Sequence, residues 1–280
     1  MKDMFLSGKK NEKNRVSQKK IDKGQGKTGC SVQPYYTFIT HSSGWIWGKG
    51  DNSLGQLGLN DTQDRSRFSR ITTLDYNPIR EIVCADGFAT FFISTQGEVY
   101  FSGSNVTGYA ALGHNEIVTS PTLIKGISHR KISKIYTDGY RAFFVDIRGH
   151  VYAAGQNIGG MLGVNTTESI NTSKKIKFPI ESVAIKEILL TKHMTIFISK
   201  EGKTFAAGMD KKRELFEKSF KSNKPVLIAP MPVDIKDISC KSIVVTRHPE
   251  GYRMHVCLPP QQENMKKEDD LTSIEINAVL

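Results

Sequence analysis

Short apolar runs separated by glycine-containing turns recur along this chain. The runs that begin at Phe91, Phe143 and Ile196 are almost wholly apolar, and each is followed by a turn and a further short run. Two short runs joined by such a turn are typical of a β-hairpin. A continuous apolar run predicts a strand that is covered on both faces. No helix-period pattern of useful length appears, so the pattern predicts an all-β protein.

The turn glycines set the period of a repeat. Gly44, Gly97, Gly149, Gly202 and Gly251 follow one another at separations of 53, 52, 53 and 49 residues. A period of this length is typical of arrays and propeller blades. Each unit holds about four short strands, and four-stranded units repeated around an axis form a β-propeller. Because one unit cannot cover its own faces, we expect neighbouring units to stack.

The pattern also places the first and the outermost strands. The first strand is expected at residues 35–40. Outer strands are expected where short runs contain or adjoin prolines, since proline is tolerated at strand starts and edges. Those outer strands are residues 121–124, 176–180 and 225–229, and residues 67–71, which follow a polar stretch and have no proline, are a further candidate. A partial fifth unit is expected at residues 237–256.

A second glycine pattern follows the third strand of each unit. It starts at Gly50, has Asn52 two residues later, and continues to Gly55 and Gly58. Glycine is favoured where the backbone turns left-handed or passes close to another backbone, so the stretch predicts a compact corner loop. The second copy starts at Gly103 and is interpreted as having two inserted residues. A fourth copy starts at Gly208 and lacks the later glycines. The predicted structural glycines are Gly50, Gly55, Gly58, Gly103, Gly108, Gly113, Gly155, Gly160 and Gly163.

The net charge of +11 is unevenly distributed. Residues 1–34 are basic, and the first 29 hold nine Lys or Arg against three acids, with almost no aromatic residues. Such a composition predicts a disordered tail, because it cannot bury enough apolar surface. Residues 35–258 then form the repeat domain, and residues 259–280 form an acidic disordered tail.

Two lysine pairs in the basic tail are candidate contacts for a polyanion. Such pairs around a polar spacer are read by nuclear import machinery or neutralise phosphates, and the alternative is a solvated tail without a partner. The pairs are Lys9-Lys10 and Lys19-Lys20. Binding of nucleic acid is therefore expected through this tail only.

No residue pattern predicts catalysis, a metal or a cofactor. The G-x-G-x-x-G run that starts at Gly24 lacks a preceding strand, so a flexible tail is the better interpretation. The seven histidines show no ligand spacing, and no Ser, Cys or Asp stands in a nucleophile context. The four cysteines form no CxxC pair, which favours reduced thiols over a zinc site or disulfide. No apolar run reaches the length of a membrane span, and no secretory signal is visible. We expect a non-enzymatic protein inside the cell, cytoplasmic or nuclear, without a membrane partner.

The repeat unit resembles that of the RCC1 (regulator of chromosome condensation) family. The family pattern is an apolar strand, a turn, G-x-V-Y-x-x-G and then N-x-x-G-Q-L-G. Residues 97–103 and 149–155 match the first motif, and residues 52–58 match the second. The resemblance covers about residues 35–257 and implies propeller blades. The ring of this family usually has seven blades and about four repeats are visible here, so we expect an incomplete, open propeller, and the alternatives are a smaller ring or a ring that another chain completes.

The resemblance implies a choice between two classes of function. The first is a non-enzymatic scaffold that binds another protein through loops at one propeller face. The alternative is an RCC1-type guanine-nucleotide exchange factor for a Ran-like small GTPase, or a chromatin binder, because that exchange factor also has a basic N-terminal tail. Photoreceptor members need a cluster of Trp residues, and this chain has only Trp45 and Trp47. Uncovered apolar strands at the ends of the array further predict self-association through the terminal blades.

The loop that enters each second strand is where the exchange factor contacts its GTPase with acidic and His side chains. The corresponding residues here are the predicted partner contacts, namely Asp86, Asp138, Tyr140, Arg141, Lys192 and His193. The His that commonly follows the loop glycine in this family is replaced by Ala89, Arg141 and Met194. This departure favours the scaffold over the exchange factor.

Overall fold

The computed structural model describes residues 29–32, 36–40, 44–210, 219–228, 242–248 and 251–257. Three short 3-10 segments, Thr72–Leu74, Lys125–Arg130 and Ile158–Gly160, accompany the strands. The strands are β1 (Gly29–Val32), β2 (Tyr36–Thr40), β3 (Ile46–Gly50), β4 (Arg65–Arg70), β5 (Ile79–Ala85), β6 (Ala89–Ser94), β7 (Val99–Gly103), β8 (Val118–Leu123), β9 (Ile132–Thr137), β10 (Arg141–Asp146), β11 (Val151–Gly155), β12 (Ile170–Lys175), β13 (Ile185–Leu190), β14 (Met194–Ser199), β15 (Thr204–Asp210), β16 (Phe220–Ile228), β17 (Ser242–His248) and β18 (Gly251–Cys257). The lysine pairs of the basic tail, the first strand of the fifth unit and the acidic tail lie outside the described residues.

The strands form four antiparallel sheets in chain order. Strands β1 to β4 form blade 1, β5 to β8 blade 2, β9 to β12 blade 3 and β13 to β16 blade 4, and within each blade every strand pairs with the next one along the chain. Strands β17 and β18 pair as a hairpin. The protein is therefore an all-β array of about four propeller blades, as the repeat pattern predicted.

Each junction between neighbouring blades encloses one hydrophobic cluster, and we number the junctions 1–2, 2–3 and 3–4. The second strand of a blade supplies alternate side chains to the two junctions beside it, so Phe92 packs at junction 1–2 and Phe91 at junction 2–3. The ring centroids of Phe91 and Phe144 lie 5.8 Å apart. At junction 3–4 the rings of Phe143 and Phe197 lie 5.7 Å apart. Both faces of β6 and β10 are covered, as their continuous apolar runs predicted.

The fourth strand of each blade lies outermost. Strands β4, β12 and β16 are largely exposed, whereas β6, β10 and β14 are buried throughout. The outer strand predicted at residues 176–180 is wrong, because β12 ends at Lys175. Ile176 is buried, and its amide donates a hydrogen bond to the carbonyl of Val151 at 2.9 Å. The chain therefore turns into the core at the residue where the prediction began the strand.

Blade 1 begins earlier than the sequence predicted. Strand β1 pairs with β2, from Gly29 opposite Thr40 to Val32 opposite Thr37. It lies inside the segment assigned to the basic tail, and residues 35–40, taken as the first strand, belong to the second. Four residues with only Cys30 and Val32 as apolar members are too short to show a pattern.

A glycine stands at the β-bulge between the third and fourth strands of every blade. The strand register shifts at Gly50, Gly103, Gly155 and Gly208. Their φ angles lie between 106° and 115°. A Cβ atom on Gly208 would lie 2.3 Å from the carbonyl oxygen of His193, so no side chain fits there. The fourth repeat thus keeps this glycine although its corner motif is lost.

One buried asparagine organises each corner loop. The side-chain oxygen of Asn52 accepts a hydrogen bond from the amide of Leu57 at 2.9 Å, and its Nδ2 donates to the carbonyl of Asp61 at 2.9 Å. Asn105 and Asn157 make the equivalent bonds in blades 2 and 3. The Asn of the family motif is therefore a structural residue here.

The second corner loop has no insertion, contrary to the expectation from the glycine spacing. The amide of Ala111 donates to the carbonyl of Gly108 at 3.0 Å, in the register of the last glycine of the other two loops. Ala111 replaces that glycine and adopts a φ of 58°. Gly113, with a φ of 85°, instead corresponds to Asn60 and Asn165, with φ of 65° and 63°. The three loops thus share one left-handed pattern with different residues.

Each corner loop also bonds to the outer strand of the next blade. Three backbone amides donate to three carbonyls, namely Asn60 to Thr119 at 2.9 Å, Gly113 to Asn171 at 2.8 Å and Asn165 to Asn223 at 2.8 Å. Consecutive blades are therefore joined by backbone hydrogen bonds as well as by apolar packing.

Candidate partner-binding face

Two sets of loops meet at one face of the blades. Because the strands of a blade alternate in direction, the turn from the first to the second strand and the loop from the third to the fourth strand lie at the same face. We call the first set the entry turns and the shared surface the loop face. Blade 2 contributes the entry turn 86–88 and the corner loop 104–117. Blade 3 contributes 138–140 and 156–169, and the entry turn of blade 4 is 191–193.

The entry turns and corner loops hold one another in place. The carbonyl of Tyr140 accepts hydrogen bonds from the amide of Gln156 at 2.9 Å and from Thr107 Oγ1 of blade 2 at 2.7 Å. In blades 2 and 4 the amides of Ser104 and Met209 bond to the entry turns in the same way. The loop face is therefore positioned by backbone contacts within and between blades.

Five exposed apolar side chains lie in these loops, and four of them occupy equivalent places in successive blades, the fifth being Ile117. Phe88 and Tyr140 occupy equivalent places in two entry turns and are 43% and 49% exposed. Val106 and Ile158 follow the buried Asn of two corner loops and are 64% and 55% exposed. Of these four, sequence reasoning selected Tyr140 and missed the other three. An apolar residue directly after the buried Asn was the available signal, because the Asn fixes the loop and leaves the next side chain outside.

Charged side chains accompany the apolar ones. Asp86 is exposed and adopts a φ of 47°, followed by Gly87 with a φ of 83°, in a turn closed by a hydrogen bond from the amide of Phe88 to the carbonyl of Ala85 at 3.0 Å. Lys192 and His193 are exposed in the entry turn of blade 4. A Cβ atom on Gly139 would lie 3.1 Å from Asp86 Cβ, so the entry turns of blades 2 and 3 are in contact.

Arg141 lies in the interior, which corrects its prediction as a partner contact. Its side chain is fully buried, and its Nε donates to Asp138 Oδ2 at 2.9 Å. Nη1 donates to Thr195 Oγ1 at 3.2 Å, and Nη2 donates to the carbonyls of Thr191 and Met194. Burial lowers the pKa of the Arg141 guanidinium, and the Asp138 carboxylate opposes that shift. Arg141 therefore joins blade 3 to the entry turn of blade 4.

Asp138 also holds the entry turns of blades 3 and 4 in place. Its Oδ1 accepts hydrogen bonds from the amides of Tyr140 and Arg141, each at 3.1 Å. The carboxylate thus shapes the entry turn that presents Tyr140 and neutralises the guanidinium beneath it. Of the six predicted contacts, Asp86, Tyr140, Lys192 and His193 face outward, and Asp138 is partly buried.

Tyr109 is a buried polar residue below the loop face. It stands in the second corner loop, and its ring lies 5.8 Å from that of Phe91 and 5.5 Å from that of Phe101. Its hydroxyl makes no hydrogen bond with any described residue. Burial raises the pKa of the phenol, and the nearby Asp138 and Asp86 carboxylates raise it further. The phenol therefore stays protonated and uncharged, and its ring packs as part of the hydrophobic cluster.

The described residues offer neither a metal site nor a membrane-spanning helix. They contain no group of three or more His, Cys, Asp or Glu side chains placed to hold a metal ion. In the same part of the chain, no helix is long and apolar enough to cross a membrane.

Comparison with known proteins supports the repeat assignment. No family model matches the chain. The sequence is 26% identical over 162 residues to the ultraviolet-B receptor UVR8 of Arabidopsis thaliana. The fold is similar to that of human WBSCR16, with a TM-score of 0.61 and 20% identity, and to that of yeast RCC1 (Prp20), with a TM-score of 0.58 and 16% identity.

These matches cover most of this chain and less of each relative. The UVR8 match spans 58% of this chain and 36% of the receptor. The WBSCR16 match spans 81% of this chain and 61% of that one, and the yeast RCC1 match 80% and 54%. The chain thus spans less than two thirds of the length of these relatives.

Proposed function

The chain is an RCC1-repeat protein, and we propose that it is a non-enzymatic scaffold that binds a partner protein through its loop face. The observation that carries the proposal is the combination of exposed Phe88, Val106, Tyr140 and Ile158 on loops fixed by hydrogen bonds between blades. Protein interfaces combine apolar and aromatic anchors with a polar rim. Lys192 and His193 would supply that rim.

Pre-organisation of the loops supports the same function. Arg141 and Asp138 fix the entry turns of blades 3 and 4 from below, so binding does not need to order these turns. A surface that is already ordered loses less conformational entropy on association. The partner is a protein, and we place the complex in the cytoplasm or the nucleus.

Affinity capture with two matched variants tests this function. The loop-face variant is Phe88→Ser with Tyr140→Ser, and the control is Tyr76→Ser with Ile147→Ser, two exposed apolar residues at the opposite face that are 95% and 61% exposed. Proteins captured by the parent and the control, but lost with the loop-face variant, are the expected partners. For a purified partner the affinity should fall at least about tenfold in the loop-face variant. Equal capture by both variants would refute the proposal.

The alternative function is guanine-nucleotide exchange on a Ran-like small GTPase, or chromatin binding. It is favoured by the fold likeness to Prp20p of Saccharomyces cerevisiae, whose structure was described together with its binding to Gsp1p and histones. The test is release of labelled GDP from a Ran-family GTPase in the presence of the full chain. Release at the intrinsic rate, with no complex on gel filtration, would reject the alternative and leave the scaffold.

The terminal segments are expected to have roles that are separate from the loop face. The basic tail carries Lys9, Lys10, Lys19 and Lys20 and would act as an import signal or a polyanion contact, and the acidic tail would remain solvated. Self-association through the terminal blades also stays a prediction. Light scattering on the isolated chain should then give a mass above that of a monomer at high concentration, and a monomer at all concentrations would refute it.

A further inference from the structure

Five cations lie on the outer edge of the array, from junction 2–3 to junction 3–4 and away from the loop face. Its members share exposure to solvent and a place either on the 3-10 segment after blade 2 or on β12 and the residues that follow it. They are Lys125, Arg130, Lys174, Lys175 and Lys177. We call this set the rim cluster.

Close packing of the 3-10 segment on β12 brings the two halves of the rim cluster together. A Cβ atom on Gly126 would lie 2.7 Å from Ser173 Oγ, so the segment lies directly against that strand. The guanidinium of Arg130 lies over the Tyr152 ring, 5.3 Å from its centroid. Tyr152 in turn pairs with Lys175 across the β11–β12 ladder, and paired residues face the same side. Arg130 and Lys175 therefore flank one aromatic ring.

The remaining lysines extend the cluster along the chain. Lys174, Lys175 and Lys177 fall within four consecutive positions, whose Cα atoms span at most about 11 Å when extended. Lys125 and Lys177 each directly follow the buried isoleucine that closes an outer strand, so they hold equivalent places in successive blades. Lys174 pairs with Ala153 and Lys177 follows Ile176, both at junction 3–4, so the cluster runs along the outer edge of blade 3 from one junction to the next.

The rim cluster keeps its charges unneutralised. Within the described part of the chain, none of its five cations takes part in an ion pair. The outer strand of blade 1 is different, because Arg65 pairs with Asp61 and Arg70 with Asp75 at 3.0 Å. Like charges that are held together repel one another, and a bound polyanion removes that cost.

We propose that the rim cluster binds the phosphate backbone of a nucleic acid, without reading its base sequence. None of the exposed large apolar side chains among the described residues belongs to the cluster. A protein interface would need apolar anchors, whereas phosphate contacts need cations. The site is independent of the loop face and adds to the basic tail, where the sequence alone had placed all binding of nucleic acid.

Binding of fluorescent duplex DNA and single-stranded RNA by the full chain tests the proposal. The rim variant combines Lys174→Gln, Lys175→Gln, Lys177→Gln and Arg130→Gln. The control variant combines Lys186→Gln, Lys200→Gln, Lys203→Gln and Arg148→Gln, which removes the same charge from exposed sites elsewhere. In the rim variant the slope of log K against log salt should fall by about 3, with at least tenfold weaker binding near 100 mM salt. The control should change the slope by less than about 1.

Two further measurements distinguish the rim cluster from the basic tail and from a loss of folding. A tail variant with glutamine at positions 9, 10, 19 and 20 should lose affinity additively with the rim variant. In the unmodified protein, bound DNA should protect Lys174, Lys175 and Lys177 from acetylation while Lys186 and Lys203 stay reactive, and this footprint does not depend on how the variants fold. Equal losses in the rim and control variants, no protection, or competition by polyglutamate as strong as by DNA would overturn the proposal.

Discussion

Junctions 2–3 and 3–4 are built by equivalent strands and bury different chemistry. Both junctions pack aromatic rings edge to face, with Phe91, Phe144 and Tyr109 at junction 2–3 and Phe143 and Phe197 at junction 3–4. Junction 3–4 contains the buried guanidinium of Arg141, hydrogen-bonded to the entry turn of blade 4. The position after Arg141 differs as well, because Ala142 stands where the fourth repeat has Thr195, whose hydroxyl donates to the carbonyl of Met161 at 2.7 Å.

The contrast separates what the repeat requires from what it tolerates. Both junctions keep the bulge glycine, the corner Asn and the backbone bond from corner loop to next outer strand. The side chains below the entry turn are free to vary, provided that they fill the same space. Specific chemistry at the loop face can therefore change from blade to blade without changing the fold.

The largest expected loss of unfolding free energy is at junction 2–3. Phe91→Ala removes a buried ring that contacts Phe101, Tyr109 and Phe144, and should lower the free energy of unfolding by about 4 kcal/mol. The matched control is Phe88→Ala, three residues earlier and exposed, which should stay within about 0.5 kcal/mol. Urea unfolding monitored by circular dichroism measures both. Similar losses of unfolding free energy in the two variants would mean that the buried Phe91 ring does not stabilise this junction more than an exposed ring does.

At junction 3–4 the sensitive residue is the buried cation. Arg141→Met leaves the Asp138 carboxylate without its guanidinium partner and removes the donor to the Thr191 carbonyl and to Thr195 Oγ1, so the free energy of unfolding should fall by about 3 kcal/mol. The exposed Arg148→Met, in the hairpin turn of the same blade, is the control and should change little. Thermal unfolding of the two variants and the parent measures both changes in stability. An Arg141→Met protein as stable as the parent would show that packing alone suffices at both junctions.

The corner loops should behave alike at both junctions. Gly108→Ala and Gly160→Ala each place a Cβ within 2.5 Å of Asn171 or Asn223 on the next blade, and each should cost about 2 kcal/mol. Gly113→Ala has a similar φ of 85° but nothing within 4 Å, and should cost about 1 kcal/mol. Denaturant midpoints of the three variants separate backbone strain from crowding. Equal values for all three would mean that crowding against the next blade costs nothing.

The smallest expected change is a gain in stability, at junction 2–3. Tyr109→Phe removes a buried hydroxyl that has no hydrogen-bond partner among the described residues, and should stabilise the protein by about 1 kcal/mol at neutral pH. Because burial raises the pKa of this phenol in the folded state, its contribution is present below the unfolded pKa of about 10 and is lost as pH rises above it. The variant should therefore keep more of its stability than the parent does at alkaline pH. Parallel curves of stability against pH would contradict this.

The blades could be predicted because their signals are local and repeated. The apolar runs of β6, β10 and β14 and the glycines of the hairpin turns recur at a constant period. Strand β1 and the true position of β12 could not be predicted, since neither has an apolar run. Ala111 misled the comparison of the corner loops, because a non-glycine residue in a left-handed conformation carries no sequence signal.

The candidate site could be predicted only in part. The entry turns followed from the repeat, but burial decides which of their side chains are available, and burial depends on the neighbouring blade. Arg141 looks like a surface charge in the sequence and is enclosed by Thr191, Met194 and Thr195 from the next repeat. The rim cluster was also hidden, because Arg130 and Lys175 are 45 positions apart and meet only through Tyr152.

The bond from each corner loop to the following outer strand gives the array a direction. Asn60 reaches forward to Thr119, and Asn165 reaches forward to Asn223. During synthesis on the ribosome, every corner is therefore made before the strand that completes it, and each finished repeat offers the next one a template. The array is expected to assemble vectorially from its N-terminal end, with each blade ordered by the one that emerged before it.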